Sequence, residues 1–212
     1  MEKILEALHE GAPFSYLNVC VLAFALAIIA ERTWYMTTRY RVNVADFMNQ
    51  IRVFVLEGKV DTAIKLCDTE SRLPLLQVVK SGLTQLDRGD DAALAAMDES
   101  LADVVPALEQ RTPMLWTLAN IATLLGLLGT ISGLIAAFGA VGAPGVDQSQ
   151  KSAILARGIS EAMYNTFLGL LIAVICMVAH LYLHSRAKHH KHELERSVMK
   201  LENLFTLERG RS

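Results

Sequence analysis

Cysteine is scarce in this sequence, net charge is close to absent, and charge of either sign is missing from three long stretches. The cysteines are Cys20, Cys67 and Cys176. They are odd in number, far apart and in no CxxC or Cys/His spacing, which argues against a disulfide framework and a zinc site. Cys20 and Cys176 lie in apolar runs, where a thiol reads as a small buried hydrophobe. The 20 Lys and Arg against 22 Asp and Glu leave a formal net charge of −2. There is no basic surplus for a nucleic acid to neutralise. What the chain has in excess is apolar side chains, 52% of the sequence, against about 45–50% in an ordinary soluble domain even when glycine is counted. Charged residues still make up 20%, so polar and apolar residues must be segregated along the chain, as for a protein that enters a lipid bilayer.

The three charge-free stretches are Gly11 to Ala30, Thr112 to Val146 and Ala162 to Ser185. Crossing a hydrocarbon core takes about 20 mainly apolar residues in a helix, so the first and third can each cross once. The second can cross with length to spare; its turn-like sequence, Gly142 to Gly145, lies at its C-terminal end, so it counts as one span. Orientation follows from Lys and Arg near the span ends. Residues 1–10 carry one Lys against three Glu, whereas Arg32, Arg39 and Arg41 follow the first span and Arg186, Lys188 and Lys191 follow the third. The expected layout is a periplasmic N-terminus (1–10), a first transmembrane helix (11–30), a cytoplasmic helical segment (31–111), a second transmembrane helix (112–146), a periplasmic loop (147–157), a third transmembrane helix (158–185) and a cytoplasmic C-terminal helix (186–212). A cleaved signal peptide over residues 1–30 is disfavoured by the acidic start.

The 31–111 segment reads as helical. Phe47, Ile51 and Val55 repeat at helical spacing until Gly58; Val60 to Cys67 is a short turn-bounded piece; Pro74 suits a first helical position; Gly89-Asp90-Asp91 breaks before another helix. Leu94, Met97, Leu101, Val104 and Leu108 then form one face of a helix expected to run on into the second span, kinked at Pro106 and projecting below the membrane. In the C-terminal tail Leu194, Val198, Leu201, Leu204/Phe205 and Leu207/Glu208 continue the third span as an amphipathic helix. The neighbouring His184, His189, His190 and His192 read as a solvated flank rather than a metal site, because His189, His190 and His192 point around different sides of a helix.

The residues that look functional lie in the second and third spans. In lipid, helices associate through small residues, and polar side chains face protein or water. Ala122, Gly126, Gly129, Gly133 and Ala137 make a small-residue stripe suited to close packing and, as a prediction, to subunit assembly. Thr123 and Thr130, two turns apart, make a polar stripe beside it. In span three Thr166, Gly169, Ala173 and Cys176 share a face, and Glu161 and Asn165 are one turn apart near its outer end. Thr130 stands 19 residues from Arg111 and Thr166 20 from Arg186, which at about 1.5 Å per residue puts them at one height. Facing hydroxyls there would line a small polar ring if several copies surround an axis; the alternative for each Thr is a bond to the i−4 carbonyl of its own helix. Glu161 sits near the outer mouth, where it could equally pair with Arg157. No carboxylate lies at mid-membrane, so a proton path would need one from a partner.

The run LLGLLGTISGLIAAF (124–138), followed by GISEAMYNTFLGLLIAV (158–174), resembles the paired signature of the MotA/TolQ/ExbB proton-channel family, and its three-span TolQ/ExbB branch more than four-span MotA. GKVDTAIKLCDTESRLPLLQVVKSGL (58–83) is similar to that family's cytoplasmic helices. The resemblance implies an all-α integral membrane protein, with three transmembrane helices extended into a cytoplasmic helical region, assembling as a homopentamer in the bacterial inner membrane. It implies no enzyme activity and no cofactor. The pentamer would enclose the single helices of two TolR/ExbD-like subunits carrying a membrane Asp, with a TonB/TolA-like envelope-spanning effector beyond them. Protons, rather than sodium, would be the coupling ion of a motor for transport, envelope upkeep or motility. The family's pore threonines fall on Thr130 and Thr166 and its outer acid on Glu161. Where the family often has proline in span three, this chain has Ile175.

Two other classes compete. An intramembrane serine protease would need Ser132 beside His180, yet their positions along the spans put them more than about 20 Å apart in height, far beyond hydrogen-bond reach. A non-conducting membrane scaffold needs the glycine stripe alone; the aligned Thr130, Thr166 and Glu161 favour conduction.

Overall fold

The computed structural model describes residues 13–39, 44–69, 73–144 and 147–209. The expected periplasmic N-terminus (1–10), the first two residues of span one, Arg41, Gly145, Val146 and the last three residues lie outside them, as do the side chains of Leu207 and Glu208. The described residues form an all-helical chain: α1 (Phe14–Arg39), α2 (Val44–Leu56), α3 (Val60–Asp68), α4 (Pro74–Gln85), a 3-10 turn (Leu86–Arg88), α5 (Asp90–Glu109), α6 (Thr112–Gly142) and α7 (Gln148–Arg209). Of these, α1, α6 and α7 carry stretches long and apolar enough to cross a membrane. The chain divides into two compact units: an apolar one of residues 1–31 and 111–182, and a polar one of residues 32–110 and 183–212.

In the polar unit the sequence punctuation works as expected. α2 stops where Gly58 takes a positive φ of 70°, with the amides of Gly58 and Lys59 closing onto the carbonyls of Val55 and Phe54 at 2.9 Å, the bonding pattern of a glycine-terminated helix. Pro74 opens α4, and Gly89, at φ 112°, precedes α5. Phe47, Ile51 and Val55 from α2, Leu75, Val79 and Leu83 from α4, and Met97 and Leu108 from α5 form one buried core. Leu194, Val198, Leu201, Leu204 and Phe205 of the α7 tail join the same core, so the tail's amphipathic stripe serves as an inward face. Arg32 is 3% exposed; it donates to the carbonyl of Ala107 at 3.2 Å and to Oε1 of Gln110 at 3.4 Å. A guanidinium there caps the last turn of α5, where unpaired carbonyls favour a cation. Cys67 is fully buried, and burial, helped by Asp68, pushes its thiol to about 11; it is packing, not a nucleophile.

Two expectations are corrected. The helix of the 90–109 region does not run unbroken into the next: Gln110 is extended, Arg111 is left-handed at φ 63°, and α6 starts afresh at Thr112. Pro113 falls in the first turn of α6, where its missing amide is tolerated. Pro106 stays inside α5. Residues 148–157, expected as a loop, instead form the opening turns of α7.

Candidate functional site

The apolar unit is built on close contact between α6 and α7. A Cβ placed on Gly126 would lie 3.2 Å from Cα of Thr166, one on Gly129 2.7 Å from Cβ of Asn165, one on Gly133 2.9 Å from Cβ of Ala162, and one on Gly169 2.5 Å from the carbonyl oxygen of Ala122. The glycines are there because the backbones touch. This corrects the expectation that the stripe joins subunits: the chain's own α7 takes up the face of Gly126, Gly129 and Gly133. The geometric reason is the residue pattern of α7, whose Gly158, Ala162 and Gly169 present an equally small face opposite.

That contact brings Thr130 and Thr166 together, hydroxyl to hydroxyl. Both also reach the same backbone oxygen, the carbonyl of Gly126, at 3.2 Å from Thr130 and 3.1 Å from Thr166, and Thr130 lies 3.4 Å from the carbonyl of Ala162. A hydroxyl has one proton to donate and two lone pairs to accept with. Two hydroxyls sharing one carbonyl can therefore redistribute their donors, each being half-buried rather than sealed. Thr123 behaves differently: its hydroxyl donates to the carbonyl of Ala119 at 3.0 Å, within its own helix.

At the loop end of the unit, Gly129, Ser132, Gly133, Arg157, Glu161 and Asn165 help line a cleft of about 330 Å³. Glu161 accepts from Nε of Arg157 at 2.8 Å, as the one-turn spacing allowed. Its side chain is 27% exposed against 68% for the arginine, so the carboxylate sits on the inner wall of the cleft. Asn165 is 5% exposed and accepts a hydrogen bond at Oδ1 from the hydroxyl of Ser15 on α1. Ser15, and the fully buried Asn18 one turn further along α1, were not singled out from the sequence. Their signal was available: they are the polar residues on a face whose other members, Ala25 and Ile28, are apolar and buried. His180 lies at the opposite end, its Nδ1 3.0 Å from the carbonyl oxygen of Thr112 and its ring beside Trp116. Ser132 belongs to the cleft instead, so no serine–histidine pair forms. In the tail, His189 and His190 both meet Glu193, at 3.4 and 3.2 Å, and His192 meets Glu195 at 3.2 Å; burial lowers the pKa of His190.

Three long apolar helices, two of them in backbone contact around paired hydroxyls, define a helical protein built to enter a membrane. The particular kinship follows from the sequence: the family model of the MotA/TolQ/ExbB proton channel family matches residues 70–196, more than half of the chain, and the chain belongs to that family. Comparison with individual curated proteins returns no match. Membership brings with it a channel or motor-stator role, oligomerisation in general and a complex with ExbD/TolR-like partners. The three apolar helices agree with the three-span TolQ/ExbB branch.

Proposed function

We propose that this chain is the proton-conducting stator subunit of an inner-membrane motor, that five copies surround the single helices of two TolR/ExbD-like chains, and that Thr130 and Thr166 form the hydroxyl station of the ion path. The N-terminus faces the periplasm and the C-terminus the cytoplasm, following the Lys and Arg distribution. The motor drives its partner, and through it a TonB/TolA-like effector, in transport, envelope upkeep or motility.

The observation that carries this reading is the Thr130–Thr166 hydroxyl contact. Relaying a proton needs groups that donate and accept in turn, and a pair of hydroxyls backed by a shared carbonyl is such a group. It lies between helix faces built mainly of glycine and alanine, with Asn165 beside it. Glu161, on the wall of the cleft at the periplasmic end, concentrates cations at the entrance. The chain supplies no carboxylate at the depth of the threonines, and the partner's membrane Asp provides that titrating station. Protons are favoured over sodium because the additional polar pore residues of the family's sodium-driven members are not evident in these spans.

The test is ion flux into proteoliposomes containing the complete complex under an imposed membrane potential, in buffer free of sodium. Acidification of the lumen is the expected result. Flux that requires sodium would reassign the ion, and no flux of either ion from an intact complex would favour a scaffold held together by its small-residue faces.

A further inference from the structure

α1 lies outside the region that the family model matches, yet its buried face is polar where it meets the other two helices. The hydroxyl of Ser15, 2% exposed, donates to Oδ1 of Asn165. The Cβ and Cγ of Asn165 lie over Gly129 of α6, in room that the glycine leaves. Asn165 immediately precedes Thr166 and stands one turn from Glu161. One carboxamide is therefore the point where all three long helices meet, next to the proposed hydroxyl station.

The α6–α7 contact explains why such a point matters. Helices normally lock their rotation by fitting ridges of large side chains into grooves. Between Gly126, Gly129 and Gly133 on one side and Ala162 and Gly169 on the other, the backbones are close and the surfaces smooth, with Asn165, seated over Gly129, as a longer side chain in the contact. Distance is fixed there better than rotation or sliding. A directional hydrogen bond from a third helix supplies the missing constraint, and the donor, at 2% exposure, has little water to turn to if the bond breaks.

We infer that Ser15 is a positioning residue: by holding Asn165 it fixes the rotation of α7 and so keeps Thr166 against Thr130. The geometric part stands on the contacts alone; its consequence for ion flow rests on the pore reading.

The experiment uses the full-length complex in membranes, with Cys20→Ala and Cys176→Ala, and with Thr130→Cys and Thr166→Cys introduced together as a cross-linking pair. Oxidative cross-linking is rapid in this background. Ser15→Ala slows it about fivefold, the effect of losing one interhelical hydrogen bond, while Ser15→Thr, which retains the hydroxyl, restores it. In an Asn165→Ala background the same Ser15→Ala change has no further effect, because the bond is already gone. An unchanged rate in Ser15→Ala, or further slowing by Ser15→Ala in the Asn165→Ala background, would overturn the inference. Proton flux, measured separately with otherwise wild-type cysteines and threonines, falls in Ser15→Ala. Slowed cross-linking with unchanged flux would support the positioning role and count against the pore reading instead.

Discussion

In the polar unit, helices meet through Phe47, Ile51, Leu83, Met97, Leu201 and Phe205, all buried. In the apolar unit α6 and α7 meet through Gly126, Gly129, Gly133, Ala162 and Gly169, and their large side chains, among them Phe138, Phe167, Val178 and Leu181, point outward. The difference follows from the solvent each unit is built for. In water, burying a large apolar side chain drives helices together. In lipid that drive is missing, since the tails are as apolar as leucine, and association depends on close backbone packing and interhelical hydrogen bonds. The same chain thus uses two packing chemistries, and α7, at 62 residues, carries both: small residues and hydroxyls in its first half, an amphipathic leucine stripe in its last turns.

Substitutions that are harmless in one unit should be harmful in the other. Gly129→Leu has the largest effect, because its first added carbon meets Asn165 at 2.7 Å and displaces the carboxamide that accepts from Ser15. Folded protein in the membrane should fall to a small fraction of wild type, measured by detergent extraction and size-exclusion profile, even where the chain is kept from oligomerising. In the polar unit Phe205→Ala should lower unfolding stability by about 3–5 kcal/mol through lost burial and a cavity, read by chemical denaturation of the extracted protein.

A smaller and sharper comparison uses one methyl group in each unit. Gly169→Ala drives Cβ into the carbonyl of Ala122 at 2.5 Å and the Cα of Gly126 at 3.0 Å, backbone that cannot step aside. A loss of about 1–3 kcal/mol is expected from overpacking. Gly82→Ala in α4 also collides, but with Cγ and Sδ of Met97 at 2.4 and 2.3 Å, atoms of a flexible side chain that can give where backbone cannot. Helix propensity then favours alanine by up to about 1 kcal/mol, so its thermal midpoint should stay near wild type. Equal losses in the two variants would contradict the contrast. The smallest effect is Arg111→Gly. Glycine removes the cost of a left-handed backbone, about 1 kcal/mol, and forfeits a half-exposed ion pair with Glu31 that is worth about 0–1 kcal/mol. The net change should stay below about 1 kcal/mol by thermal unfolding, and a loss above about 2 kcal/mol would show that the ion pair anchors α1.

Much of this contrast is legible in the sequence because it is periodic. The stripe Phe47, Ile51, Val55 and the tail's Leu194, Val198, Leu201 announce a core, and the glycines of α6 announce close packing. The equal heights of Thr130 and Thr166 also follow from counting residues, and the structure places their hydroxyls in contact. What counting does not give is the identity of the neighbour. The glycine stripe looks the same whether its partner is another subunit or the chain's own α7, and only the matching small face of α7 decides it. Ser15 was only partly legible for a related reason: it shares a face with Asn18, Ala25 and Ile28, but its role becomes readable when the residue opposite is known to be Asn165. The start of α6 was signalled by Pro113, a residue type favoured in the first turn of a helix.

The central claim is that the Thr130–Thr166 pair conducts rather than merely packs. Valine nearly matches threonine in shape but can neither donate nor accept a hydrogen bond, so Thr130→Val and Thr166→Val separate the two roles. The measurement is proton flux into liposomes containing the complete complex, with copurification of the partner chains confirming assembly. Each valine variant should assemble normally and lose nearly all flux, and Glu161→Gln should retain part of it, because the acid acts only on local ion concentration. Wild-type flux in both assembled valine variants would contradict the account.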